Sequence, residues 1–285
     1  AINAMNQTIC SGATFSIIPV NATNGSVPVG TSYTWPNPVL SNANTINGSS
    51  AQVTGVANIS QTLTNVTNVQ QTVTYTVTPN TTNNCPGNTF NVVITVNPTP
   101  VIPAQALTVC GGLQTALNLT NNEPTTILPN NTTFSWSVPG SLISLTGASA
   151  GNALANFQQT LTNTSNITQT ATYSVTPATS ACTGAPFNVV ITVNSTPVVS
   201  NVAQSICSND SFNITPSATI IPAGTTYDWN APTSPNTLTT FASGNDQSTI
   251  TGTLSSSANT DQTAIYTVTP TSTLGCVGAD FTATI

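Results

Sequence analysis

The stretch QTVTYTVTP at residues 71–79 returns as QTATYSVTP at 169–177 and as QTAIYTVTP at 262–270, at offsets of 98 and 93 residues. A phrase written three times at near-constant spacing constrains the fold more than any single motif, because each copy must occupy the same place in its own structural unit. The 285 residues therefore divide into three units of roughly 95 residues, each large enough for one small core. Further landmarks recur in one order. A cysteine opens each unit in TICSG (Cys10), TVCGG (Cys110) and SICSN (Cys207). A tryptophan follows (Trp35, Trp136, Trp229), each two residues after another aromatic and three before a proline. Then come the quoted tyrosines (Tyr75, Tyr173, Tyr266), and a second cysteine (Cys85, Cys182, Cys276) five residues before a phenylalanine (Phe90, Phe187, Phe281).

The local pattern is β throughout. TVTYTVT and NVVITVN are β-branched and aromatic residues alternating with Thr or Asn, the mark of half-buried strands. Ile59/Leu63, Phe157/Leu161 and Ile250/Leu254 stand four apart, which on a strand places each pair on one face. Pro, Gly and Asn interrupt the chain about every ten residues, the rhythm of a sandwich of short strands. The expected fold is all-β: three tandem antiparallel β-sandwich domains in a rod, at 1–97, 98–195 and 196–285, the third cut short in its last strand. The joints NPTPVIP (97–103) and NSTPVVS (194–200) are short and proline-bearing, so neighbours are expected to be held semi-rigidly. The chain stops within what the earlier units write as FNVVITVN, and a slice of a longer periodic protein is expected.

Charge narrows the function. There is no Lys, Arg or His, and the acids are Glu123, Asp210, Asp228, Asp246, Asp261 and Asp280. Nucleic-acid binding draws most of its affinity from cations on phosphates, and attraction to anionic membranes needs the same residues; neither partner is expected. No apolar run is long enough to span a bilayer. Without histidine there is no Ser-His-Asp triad, and unit one has no carboxylate for paired-acid chemistry. The chain is expected not to be an enzyme and to need no cofactor. A calcium site on unit three through Asp228, Asp246 or Asp261 is weighed, although no DxDxDG-type run supports it. Asn-x-Ser/Thr sequons at 21–23, 118–120 and 213–215 arise readily in so Asn- and Thr-rich a chain. Trypsin has nowhere to cut.

Two cysteines fall in each unit, 75, 72 and 69 residues apart. Without CxxC spacing or histidine a zinc site is not expected. The structural reading is one disulfide per unit, Cys10–Cys85, Cys110–Cys182 and Cys207–Cys276, made in an oxidising compartment; a free reactive thiol is the alternative. The Cys…Trp…Cys order resembles the immunoglobulin sandwich, except that the second cysteine lies nine or ten residues beyond the tyrosine. The bridge would then tie the first strand to the connection before the last. Trp35, Trp136, Trp229, Tyr75, Tyr173, Tyr266, Phe90, Phe187 and Phe281 are read as core landmarks, with a sugar-binding platform as the rival use of the indoles.

Across its whole length the chain resembles the PKD-like and immunoglobulin-like repeats of very large Bacteroidetes cell-surface proteins of the gliding-motility adhesin type. The resemblance is carried by residues 61–102, 159–199 and, more loosely, 252–285. The WDFGDG signature of typical PKD domains is replaced by WPNP, WSVP and WNAP, so the likeness is to the PKD-like group. It implies type 9 secretion, display outside the cell, and a stalk or filament that spaces an adhesive tip from the cell surface. Its partners would be further repeats of the same chain and like chains in a filament. The alternatives are a self-assembling fibre or sheath subunit and a carbohydrate-binding module.

Overall fold

The structure, a computed structural model, describes residues 1–83, 85–217, 220–232 and 236–285. Among these residues there are strands and turns and no helix. Unit 1 contains β1 (Met5–Cys10), β2 (Thr14–Ile17), β3 (Ser32–Trp35), β4 (Val39–Leu40), β5 (Ile46–Asn47), β6 (Gln52–Val56), β7 (Ile59–Thr62), β8 (Thr64–Asn65), β9 (Gln71–Asn80) and β10 (Phe90–Asn97). Unit 2 repeats the plan with β11 (Gln105–Cys110), β12 (Gln114–Ala116), β13 (Thr133–Trp136), β14 (Leu145–Thr146), β15 (Gly151–Leu154), β16 (Gln158–Thr160), β17 (Thr162–Asn163), β18 (Gln169–Ala178) and β19 (Phe187–Asn194). Unit 3 has β20 (Val202–Ala203), β21 (Ser211–Ile214), β22 (Thr226–Trp229), β23 (Leu238–Thr239), β24 (Gly244–Gln247), β25 (Ile250–Thr253), β26 (Ser255–Ser256), β27 (Ile265–Thr271) and β28 (Phe281–Thr284).

Each unit is two layers. The larger sheet runs β1-β10-β9-β3-β6 in unit 1, β11-β19-β18-β13-β15 in unit 2 and β20-β28-β27-β22-β24 in unit 3. Facing it are short pairs: β2 with β7 and β5 with β8, β12 with β16 and β14 with β17, β21 with β25 and β23 with β26. The alternation in sequence sets the faces. In β9 every second residue from Gln71 to Pro79 is buried, and Phe90, Val92, Ile94 and Val96 do the same on β10. Three separate apolar clusters result, one per unit. Aromatic pairs organise the first: Tyr75 packs against Phe15 at 5.3 Å and edge-on against Trp35 at 5.9 Å between ring centroids.

One pairing departs from the antiparallel expectation. β1 runs parallel to β10, from Met5 opposite Val92 to Cys10 opposite Asn97, and β11 and β20 lie the same way on β19 and β28. A unit that the chain enters at one end and leaves at the other has first and last strands pointing the same way. Side by side, they must pair in parallel. That pairing gives each unit a leading pole, before its last strand, and a trailing pole, where its first and last strands finish together.

The poles overturn the expected disulfides. Cys10 ends β1 at the trailing pole, whereas Cys85 precedes Phe90 and lies at the leading pole. The eight residues of β10 stand between them. At about 3.3 Å per residue those eight residues hold the two cysteines roughly 20 Å or more apart, far beyond the ~7 Å that a disulfide can bridge. Neither Cys10–Cys85, Cys110–Cys182 nor Cys207–Cys276 forms. Instead Cys10 bonds Cys182 and Cys110 bonds Cys276, with Cα separations of 5.7 and 5.5 Å. Cys85 and Cys207 are free and exposed.

Candidate functional site: the joints between units

The trailing half of each joint is a tight turn. After Cys10 the chain reverses through Ser11 and Gly12, closed by the Ala13 N–H donating to the Cys10 carbonyl at 3.0 Å. Gly12 has φ +85°, Gly112 repeats it at +88° and Asn209 at +71°. The left-handed region is open to Gly and tolerated by Asn, which is why the cysteine is followed by SG, GG or SN. A second bond, from the Gly12 N–H to the Leu63 carbonyl at 2.8 Å, ties the turn to the facing layer, and Gly112 and Asn209 make the same bond to Leu161 and Leu254. The cysteine side chain thus projects from a braced corner.

The leading half is a loop built alike three times. The Cys182 N–H donates to the Thr179 Oγ1 at 3.0 Å while the Thr179 N–H donates to the Cys182 carbonyl at 2.8 Å. Ser272 holds Cys276 in the same way at 3.1 and 2.9 Å, and Thr81 holds Cys85 at 3.3 and 3.2 Å. Two residues on, Gly87, Gly184 and Gly278 each donate an N–H at 2.8 Å to the proline of the VTP phrase (Pro79, Pro177, Pro270).

Between the halves runs a Thr-Pro linker. The Thr99 hydroxyl donates back to the Ser11 carbonyl at 3.2 Å, and Thr196 does so to Gly111 at 3.1 Å. The carbonyl oxygens of Pro100 and Pro197 press on Gly184 and Gly278 so closely that a Cβ there would come within 2.3 Å. Only glycine admits that contact. The next residue, Val101 or Val198, is bridged to Ile127 or Ile220 of the unit that follows. Lateral bonds complete each joint: the Asn68 N–H donates to the Glu123 carboxylate, and the Ile221 N–H donates to Asn166 Oδ1 at 2.8 Å. The joint is therefore hydrogen-bonded into both neighbours and then closed by sulfur. Cys182 and Cys276 are only 3% and 0% exposed.

The trailing pole is stiffened from beneath by a buried amide. Asn65 donates to the carbonyls of Val69 and Val96 at 2.7 and 3.1 Å and accepts from the Thr67 N–H at 2.9 Å. Asn163 repeats this with Ile167, Val193 and Ser165. Sequence reasoning missed these residues, together with the Thr-Pro pairs and the Cys-x-Gly loops. Their signal is repetition at fixed offsets: the glycine two and the threonine fourteen residues after the second cysteine, and the asparagine two residues after Leu63 or Leu161.

The other landmarks belong to the cores. Trp35, Trp136 and Trp229 are 3%, 6% and 4% exposed, and each indole N–H donates to a backbone carbonyl (Ser50, Ser149 and Ala242) at 3.0, 2.9 and 3.2 Å. Indoles so enclosed offer no face for stacking on a sugar. Tyr75, Tyr173, Tyr266, Phe90, Phe187 and Phe281 are buried as well. The Tyr75 and Tyr173 hydroxyls donate to Gln61 and Gln159 at 2.8 and 3.0 Å. In unit 3 Gly252 stands where that glutamine would be, and the Tyr266 hydroxyl approaches the Ala242 backbone without closing a well-aligned bond. Burial pushes the phenols up, Tyr173 to about 12. On unit 3 a groove of about 1080 Å³ is bordered by Asp228, Asp280 and Thr269. The Asp246 N–H donates to the Asp228 carboxylate at 2.7 Å and the Thr269 hydroxyl to Asp280. Among the described residues, no three metal-ligating side chains come together.

End-to-end sandwiches with covalently closed joints define a tandem immunoglobulin-like repeat protein. More particularly, the chain belongs to the PKD-like domain family, which matches residues 7–100, 107–197 and 204–285. No curated protein matches it. Solved structures similar to it include the three N-terminal domains of the highly immunogenic outer capsid protein of bacteriophage RB49, at 11% identity and a TM-score of 0.37 over 96% of this chain and 92% of that one. An I-band fragment of titin matches at 8% identity and 0.32, over 99% and 95%. A SusE-like, surface-located polysaccharide-binding protein of Bacteroides thetaiotaomicron matches at 10% identity and 0.28, over 99% and 59%.

Proposed function

We propose that the chain is a load-bearing segment of an extracellular stalk or filament, part of a very large bacterial surface adhesin, that holds an adhesive tip away from the cell. The observation that carries this reading is the interleaving of the two disulfides. Cys10–Cys182 and Cys110–Cys276 overlap, so tension entering at Cys10 crosses sulfur to Cys182, follows unit 2 back to Cys110 and crosses sulfur again to Cys276. Even with every sandwich unfolded, that path holds roughly 70 residues, about 240 Å at full extension. With the sulfurs reduced, the same two points are joined by about 270 residues, or roughly 900 Å. Disulfides of this kind persist outside the cell and are rare in reducing cytosol, which supports an exterior location.

The test is single-molecule pulling on the ends of the chain. In the oxidised protein the contour length released between Cys10 and Cys276 is expected to be about a quarter of that released with reductant present. Equal lengths in the two conditions would remove the support for a load-bearing role.

A further inference from the structure

The two disulfides obey one rule: a turn cysteine at the trailing pole of one unit bonds the loop cysteine at the leading pole of the next. Within these 285 residues the rule finds no partner for Cys85, the loop cysteine of unit 1, or for Cys207, the turn cysteine of unit 3. We infer that Cys85 and Cys207 are the open halves of two further inter-unit disulfides. Each takes a PKD-like unit seated end-on, Cys207 receiving a loop cysteine of the Cys85 type and Cys85 a turn cysteine of the Cys207 type.

Both half-joints are already built. The Cys207 turn is closed by the Asp210 N–H donating to the Cys207 carbonyl at 3.0 Å, the same closure seen after Cys10 and Cys110. The Cys85 loop carries the Thr81 brace and the Gly87–Pro79 bond that hold the bonded cysteines of units 2 and 3. Gly87 is shaped like Gly184 and Gly278, but among the described residues no linker proline presses on it as Pro100 and Pro197 press on those two. Exposure differs accordingly: the bonded loop cysteines Cys182 and Cys276 are buried and the bonded turn cysteines Cys10 and Cys110 half-buried, whereas Cys85 and Cys207 are exposed. Trailing and leading poles are different surfaces, so their association is head to tail and does not close on itself. The chemistry balances: two thiols give up two protons and two electrons to a small-molecule or protein disulfide, which is cleaved to two thiols as the new S–S bond forms. The inference stands on the two observed bridges and not on the stalk reading.

Two arms test it, both refolded with a mixture of reduced and oxidised glutathione. In the first, two copies of the chain are joined in tandem through TVNSTP, the sequence that leads unit 2 into unit 3. Non-reduced peptide mapping is expected to show Cys207 of the first copy bonded to Cys85 of the second; both thiols left free in the fusion would overturn the inference. In the second arm, separate Cys85→Ser and Cys207→Ser chains are mixed. A heterodimer through Cys207 of the one and Cys85 of the other upholds the rule between separate chains. No heterodimer here, together with the bond in the fusion, upholds it within a single chain only. Cys207–Cys207 or Cys85–Cys85 homodimers forming as readily as the mixed pair would overturn directed docking.

Discussion

Asn65 and Asn163 are buried polar side chains whose amides are put to use at the trailing poles of units 1 and 2. Each amide is almost fully enclosed and satisfies two backbone carbonyls and a backbone N–H near the joint. Removing such a group leaves buried carbonyls unpaired, which typically costs about 1–3 kcal/mol. Asn163→Ala is accordingly expected to destabilise unit 2 by that amount in denaturant unfolding, while an exposed change such as Asn152→Ala is near neutral. The phenols give a second residue-scale expectation. Burial holds Tyr173 at about 12 in the folded chain, against about 10 when unfolded. The neutral form is the one the fold favours, so its contribution is complete below pH 10 and is lost as pH climbs from 10 to 12. Melting temperature should stay level up to about pH 10 and fall across that window, together with the rise of tyrosinate absorbance. Tyrosinate appearing near pH 10 with no loss of structure would contradict this.

At the scale of strands, much could be read directly from the chain. QTVTYTVTP and FNVVITVN announce one buried and one exposed face, and their recurrence announces three sandwiches. What alternation does not carry is the direction of a neighbour. A strand has the same buried face whether its partner runs parallel or antiparallel, so nothing in TICSG alone says that Cys10 finishes beside Asn97, at the far end of β10 from Cys85. The even count of two cysteines per unit then pointed to the wrong partner. The better clue was the position of the second cysteine, outside the strand that carries it in an immunoglobulin domain, together with the glycine that follows two residues later in every unit. Gly184→Val tests that clue. It sets a side chain against the Pro100 carbonyl, so the yield of Cys10–Cys182 on refolding should fall severalfold while Cys110–Cys276 forms normally. Equal loss at both joints would mean that the substitution had simply unfolded the chain.

For the whole molecule, a bridge between neighbours restrains both of them. Cys182 lies beside the linker, so if unit 1 alone unfolds its chain is still pinned from Cys10 to the joint, a loop of about 90 residues. Unit 2, unfolding alone, is pinned over a similar length. On a chain-entropy estimate each closure is worth roughly 4–5 kcal/mol, a large part of the about 5–15 kcal/mol of net stability ordinary for such a domain. This matters in a chain whose composition denies it any side-chain ion pair. Reduction should therefore lower the calorimetric transition of all three units, unit 2 most, because it alone carries a half of both bridges. An intra-unit arrangement would lower each unit alike.

The pairing of the sulfurs is most directly read by digesting the non-reduced protein with pepsin or chymotrypsin, trypsin having no site, and identifying the linked peptides by mass spectrometry. Peptides joining Cys10 to Cys182 and Cys110 to Cys276 are expected, both separating on reduction. Peptides joining Cys10 to Cys85 and Cys110 to Cys182 would contradict the inter-unit pairing.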